Sequence, residues 1–160
     1  MPPKLIVDLA GIDLSETQFD IEKVRKLNQQ RYEMEQLSGI IKFAPEDDYV
    51  VGYKDVSDDE FWVRGHVPGR PLMPGVIMCE AAAQLCSFYY MMTLADGERD
   101  RFLGFGGMKD VKFRGTVVPG DRLIILARKI EIKPRRAIFN TQGVLDGKMV
   151  FEAGIIGMPV

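Results

Sequence analysis

At 160 residues, 46% of them hydrophobic, the chain has the length of one ordinary domain and enough apolar mass for a sizeable core. Its net charge of −2 hides a division, because residues 1–60 hold 7 basic and 14 acidic side chains whereas residues 61–160 hold 14 and 9. That mild C-terminal excess can steer an acidic partner toward one face but falls far short of a polybasic footprint, so nucleic acid is excluded as the expected partner.

The chain opens Met-Pro-Pro-Lys and soon meets Asp8, Asp13 and Glu16, which is not the basic-then-apolar layout of a secretory signal; a cytoplasmic location is expected. Over residues 15–28 the spacing of Ile21, Val24 and Leu27 predicts a short amphipathic helix, with Ser15 and Gln18 resembling a capping box. Residues 40–43 and 49–56 read as strands separated by the acidic turn Pro45-Glu46-Asp47-Asp48. A Pro/Gly-rich loop follows and leads into a long apolar segment, predicted as a helix over residues 76–94. Between Pro71 and Ala95 the sole charged side chain is Glu80. This run also carries Gln84 and Ser87, so a buried core helix fits it better than a membrane span. Cys79 and Cys86 lie seven residues apart on it, a rise of about 10 Å, too far for a disulfide.

After the helix, residues 96–101 form a charged, exposed connection, and the remainder reads as about four antiparallel strands. One ends near Val118 before the Pro119-Gly120-Asp121 turn, and one covers residues 123–132 before Lys133-Pro134-Arg135-Arg136. The last two flank Asp146-Gly147, a strong two-residue hairpin signal, with alternation at Ala137, Phe139 and Thr141 before it and at Met149, Phe151, Ala153 and Ile155 after it. The Gly-rich run at residues 104–107 lacks the context of a nucleotide loop and reads as strand curvature. The whole is an α+β plan, a sheet covering one apolar helix.

Two groups carry chemistry. His66 is the only histidine, in the Pro/Gly loop, and Glu80 is a lone carboxylate in apolar surroundings, costly unless paired, protonated or used. Taken singly, the histidine could be structural and the acid could pair with a surface cation. One histidine and two helical cysteines offer no metal-ligand spacing, so zinc is set aside.

The string GHVPGRPLMPGVIMCEAAAQ, residues 65–84, resembles the signature of the FabZ-type 3-hydroxyacyl-acyl-carrier-protein dehydratases, GHFPGxPxMPGVxxxEAxAQ. VKFRGTVVPGDRL (111–123), LDGKMVFEA (145–153) and FDIEKVRKLNQQRY (19–32) resemble three further stretches of that family. The likeness runs from about residue 19 to residue 157, with residues 1–18 as an N-terminal extension and residues 19–160 as a single domain. It implies a hotdog fold, a curved antiparallel β-sheet wrapped around a long central helix. It implies a homodimer, with trimers of dimers in some members, in which His66 of one subunit faces Glu80 of the other. It implies no cofactor, and a substrate held on the phosphopantetheine arm of acyl carrier protein.

Dehydrating a 3-hydroxyacyl thioester needs a base for the proton beside the carbonyl and an acid for the departing hydroxyl. His66 suits the first role near neutral pH. Glu80 suits the second, since an apolar setting favours a proton-bearing carboxyl. Backbone N–H groups of Gly75 or Val76, at the amino end of the helix, are the expected oxyanion donors. Gln84, one turn after Glu80, could orient it or be a core amide. Carrier protein is acidic, and Arg99, Arg101, Lys112, Arg114, Lys133, Arg135 and Arg136 are the candidate docking cations, each equally readable as a solvated charge.

Departures from the pattern fall at Val67, where the family has Phe, and at Glu33, Met34, Glu35 and Gln36, where an apolar stretch is expected; they imply a different pocket wall or chain-length preference. Residues 84–89 and 103–113 lean toward the sister FabA-type dehydratase/isomerases, but those carry Asp where this chain has Glu80, which favours plain dehydration. A hotdog thioesterase and a catalytically silent acyl-binding subunit are the remaining alternatives.

Overall fold

The computed structural model describes all 160 residues. Two α-helices, α1 (Ile21–Leu27) and α2 (Gly75–Thr93), accompany six strands, β1 (Gly39–Ala44), β2 (Tyr49–Asp55), β3 (Leu103–Phe113), β4 (Arg122–Lys133), β5 (Arg136–Leu145) and β6 (Lys148–Pro159). The strands form one antiparallel sheet in the order β1-β2-β4-β5-β6-β3. α2 lies against its inner face and touches all six strands, β1 through Phe43, the hotdog arrangement expected from the sequence.

Why α2 sits there follows from its composition. Twelve of its nineteen residues are buried, and they cover most of its circumference, so only a sheet that curves round it removes that surface from water. Phe88 and Tyr89 anchor the contact. Phe88 meets Phe19 and Phe43 at ring-centroid distances of 5.8 and 6.3 Å, and Tyr89 meets Phe43 and Phe139 edge-on at 5.3 and 5.5 Å. No helix is long and apolar enough to cross a membrane.

The Asp146-Gly147 signal is realised as a two-residue β5–β6 turn, both residues at positive φ (49° and 78°), the conformation that matches strand twist. Two expectations are corrected. The first helix starts at Ile21 rather than residue 15, capped by Asp20, whose side chain accepts from the Lys23 N–H. Ser15 bonds to Asp13 instead, and Gln18 reaches the Phe43 N–H, because residues 18–19 are drawn into extended pairing with Ile40. The strand expected to end near Val118 ends at Phe113. There the Arg114 and Gly115 N–H groups converge on the Val150 carbonyl and the chain leaves the sheet.

Residues 1–18 have a definite place. Leu5, Ile6, Val7, Leu9, Ile12 and Leu14 pack against the outer face of the sheet, on a cluster that includes Ile41, Tyr49, Val51, Tyr53, Ile124, Leu126 and Val144. Gln142 clamps the segment, accepting from the Ile6 N–H (2.8 Å) and donating to the Lys4 carbonyl (3.1 Å), and Arg128 donates to the Ile6 carbonyl (2.8 Å). Val7 is 1% exposed.

Burial pushes the Cys79 thiol above its ordinary range and that of Cys86 well above it, which lowers the reactive thiolate fraction of both. Both thiols are therefore expected to resist a disulfide-exchange reagent in the native protein and to react rapidly once denaturant is added, as thiol titration would read. Val7→Asp, which places a carboxylate on that covered face, is expected to lower unfolding free energy by about 2–4 kcal/mol in denaturant titration.

Candidate active site

The loop before α2 is held in one shape. The Met73 N–H donates to the Val117 carbonyl (2.8 Å), the Arg70 N–H to the Val67 carbonyl (2.9 Å), and the His66 N–H to the carbonyl of buried Trp62 (2.8 Å). Val67, the residue that departs from the family pattern, sits at φ 58°, a left-handed conformation that a β-branched residue enters only under constraint. Within this frame the His66 Nδ1 lies 2.6 Å from the Leu72 carbonyl oxygen. A carbonyl only accepts, so Nδ1 carries a proton, and in the neutral ring Nε2 is the nitrogen with the lone pair. The His66 ring is exposed in the single chain.

α2 begins at Gly75 with Pro74 as its cap and no side chain hydrogen-bonded to the first turn. The opening N–H groups of a helix have no partner within it, which leaves Gly75 and Val76 with free donors at the positive end of the helix dipole. A Cβ on Gly75 would come within 2.7 Å of the Phe113 ring, so glycine is needed here for the close approach of the end of β3.

One turn on, Glu80 is half-buried and its Oε1 accepts from the Gln84 Nε2 at 2.8 Å. The same Nε2 donates to the Met34 carbonyl (2.7 Å), and the Gln84 Oε1 accepts from the Gln36 N–H (2.9 Å). Asn28 adds a bond to the Gln84 main-chain carbonyl (2.9 Å). Gln84 is thus more than a neighbour: it ties the carboxylate to the segment between α1 and β1. One acid there, Glu35, serves structure: it is paired with Arg25 and held below the usual carboxylate range by hydrogen bonds from the guanidinium.

Glu80 opens onto a cavity of about 150 Å³, between α2, residues 29–30, the start of β3 and the end of β6. Gln29, Gln30, Ser87 and Phe105 line it and were not singled out from sequence; Glu80, Gln84 and Ser87 at i, i+4 and i+7 were the available signal. His66 does not line this cavity, so one chain does not bring His66 and Glu80 together in it. A larger groove of about 570 Å³ runs past Tyr32, Glu33, Glu35 and Phe61 and holds neither group; its Lys54 is locked to Glu60 at 3.0 Å. No cluster of three or more His, Cys, Asp or Glu side chains is placed to hold a metal ion.

The candidate docking cations divide. Arg99 pairs with Asp96, Arg114 with Glu152, and Lys133 and Arg136 both with Glu131, whereas Arg101, Lys112 and Arg135 have no ion pair. They also stand at two ends of the sheet, as Leu103 and Ala137 register against the end of β6 near Gly157 and Pro159, while Lys112 registers against Glu152.

A FabA-like domain model matches residues 28–154. The chain belongs to the FabA-like family of hotdog dehydratases. Among its relatives, the 3-hydroxyacyl-[acyl-carrier-protein] dehydratase FabZ of Geobacter metallireducens is 34% identical over 138 residues, covering 86% of this chain and 91% of the relative. The enzyme of the same name from Clostridium beijerinckii is 37% identical over 143 residues, covering 86% and 96%. Among solved structures, the dehydratase heterocomplex ApeI:P from Xenorhabdus doucetiae superposes with a TM-score of 0.70 at 16% identity, over 86% of this chain and 90% of that one, a likeness of fold.

Replacing Gln84 by Leu in this FabA-like chain strands the Gln36 N–H and the Met34 carbonyl. Gln84→Leu is expected to cost at least about 2 kcal/mol of stability in denaturant unfolding, and a loss below about 0.5 kcal/mol would show that the amide is not the tie described.

Proposed function

We propose that the chain dehydrates a 3-hydroxyacyl thioester carried on acyl carrier protein to the trans-2-enoyl thioester, with His66 as base and Glu80 as acid. The observation that carries the reading is the 2.6 Å contact of His66 Nδ1 with the Leu72 carbonyl, which leaves Nε2 as a free base in the loop that delivers the amino end of α2. Nε2 takes the proton from C2, and the electron pair passes to the thioester oxygen, which the Gly75 or Val76 N–H receives. As the double bond forms between C2 and C3, the C3 hydroxyl leaves with a proton from Glu80, as water. The proton on His66 then returns to the Glu80 carboxylate through solvent, and the enzyme is reset.

Base and acid come together in a homodimer joined along β3. Of the two sheet edges, β1 is closed by residues 18–19, which exchange hydrogen bonds with Ile40, and by the Gln18 side chain on the Phe43 N–H. β3 is the open one: an eleven-residue edge strand with Phe105, Met108 and Phe113 47%, 45% and 50% exposed, a surface that a soluble chain ordinarily protects. Antiparallel pairing of β3 with its copy sets His66 opposite Glu80 of the partner subunit, and brings Lys112 and Arg114 of one subunit toward the Arg101 end of the other. That gathers cations from both ends of the sheet into one face for acidic carrier protein. The buried free thiols are in keeping with a reducing, cytoplasmic setting.

The decisive assay incubates 3-hydroxyacyl carrier protein with the wild type, His66→Ala and Glu80→Gln, and follows the conjugated enoyl thioester. Wild-type turnover with a loss of at least ~100-fold in each variant is expected. Retained turnover in either variant removes that residue from its role; release of free thiol would mark a thioesterase, and 3-enoyl product an isomerase. Phe105→Glu is expected to convert the dimer to monomer in sedimentation and to abolish turnover, whereas an active monomer would place the whole site in one chain.

A further inference from the structure

The cavity beside Glu80 has two unlike walls. Leu103, Phe105 and Ile155, from the β3 and β6 side, are apolar, while Gln29 and Gln30, from the segment after α1, and Ser87, on α2, are not. Ser87 lies seven residues beyond Glu80 on the same stripe of α2, about 10 Å further along the helix. A substrate whose C3 hydroxyl sits at Glu80 therefore extends its acyl tail toward Gln30 and Ser87. A plain alkyl chain on that path would press methylenes against amide and hydroxyl groups and strip them of water without replacing its hydrogen bonds, an unfavourable exchange. The Gln30 amide already stands in part in this condition: its Oε1 is buried with no hydrogen-bond partner in the chain. Its Nε2 makes no hydrogen bond in the chain either but is not buried, so the amide N–H is the end left for whatever occupies the cavity that Gln30 lines.

We propose that Gln30 and Ser87 are specificity-determining residues, and that the acyl group this site prefers carries a hydroxyl on its tail, several carbons beyond the reacting carbon. The stem of such a chain lies on the apolar wall while its hydroxyl bonds to the polar one. This rests on Glu80 being the acid that meets the C3 hydroxyl, and it adds what lies at the far end of the substrate.

The test compares carrier protein loaded with 3-hydroxyoctanoyl and with 3,8-dihydroxyoctanoyl groups, matched in length, using the full-length wild type, Gln30→Leu and Ser87→Ala, with thermal melts as a check on folding. The wild type is expected to favour the dihydroxy chain in kcat/KM by about fivefold or more, the effect of one buried neutral hydrogen bond. Gln30→Leu is expected to erase or invert the preference by gaining activity on the plain chain, and Ser87→Ala to reduce it. Equal or faster wild-type turnover of the plain chain, or a preference unmoved in both folded variants, overturns the assignment while leaving dehydration itself intact. Failure of the wild type to dehydrate either chain sinks the dehydratase reading and this inference with it.

Discussion

The rest of the molecule depends on the burial of α2. A helix with apolar side chains around most of its circumference has to be enclosed, and the sheet curves to enclose it, so the position of everything on α2 is set by the core rather than by the surface. That is why a carboxylate can be held on it at a fixed place. Glu80 is the one charged residue of the helix, and the protein answers its presence with one amide: Gln84 receives the carboxylate on one side and the backbone of residues 34 and 36 on the other. The site is an exception to the core, built from the core's own rigidity.

The same rigidity reaches His66 by a different route. His66 lies on a loop, where positional precision is ordinarily poor, yet this loop is fixed to Trp62 at one end and to Val117 at the other, with Val67 forced into a left-handed turn between them. The strain at Val67 is sustained by those bonds. Its effect is to present one nitrogen of the ring and occupy the other, so protein main chain decides which tautomer the imidazole adopts.

Much of this was legible in the sequence because it is local. The apolar run of α2, the alternation of β5 and β6 and the Asp146-Gly147 turn each report on neighbours a few residues away. The first helix was misplaced at its start because Gln18 and Phe19 answer to Ile40, some twenty residues on, and no period records that pairing. The place of residues 4–14 had a trace that periodicity alone did not expose. In β2, Tyr49, Val50, Val51 and Tyr53 are buried in succession, a pattern of a strand covered on both faces, and the outer cover is the chain's own beginning. At the site, His66 and Glu80 stood out by residue type and spacing, whereas Gln29, Gln30 and Phe105 did not, since the cavity is closed by three segments that only the folded chain brings together.

That N-terminal cover also imposes an order of events. Its hydrogen bonds join Lys4 and Ile6 to Gln142 and Arg128, contacts that span more than 120 residues of chain. During synthesis on a ribosome these residues are made before β4 and β5, and their binding surface does not exist until those strands have emerged and paired. The segment therefore waits for a surface made after it, and until it docks the outer apolar face of the sheet stays open to water.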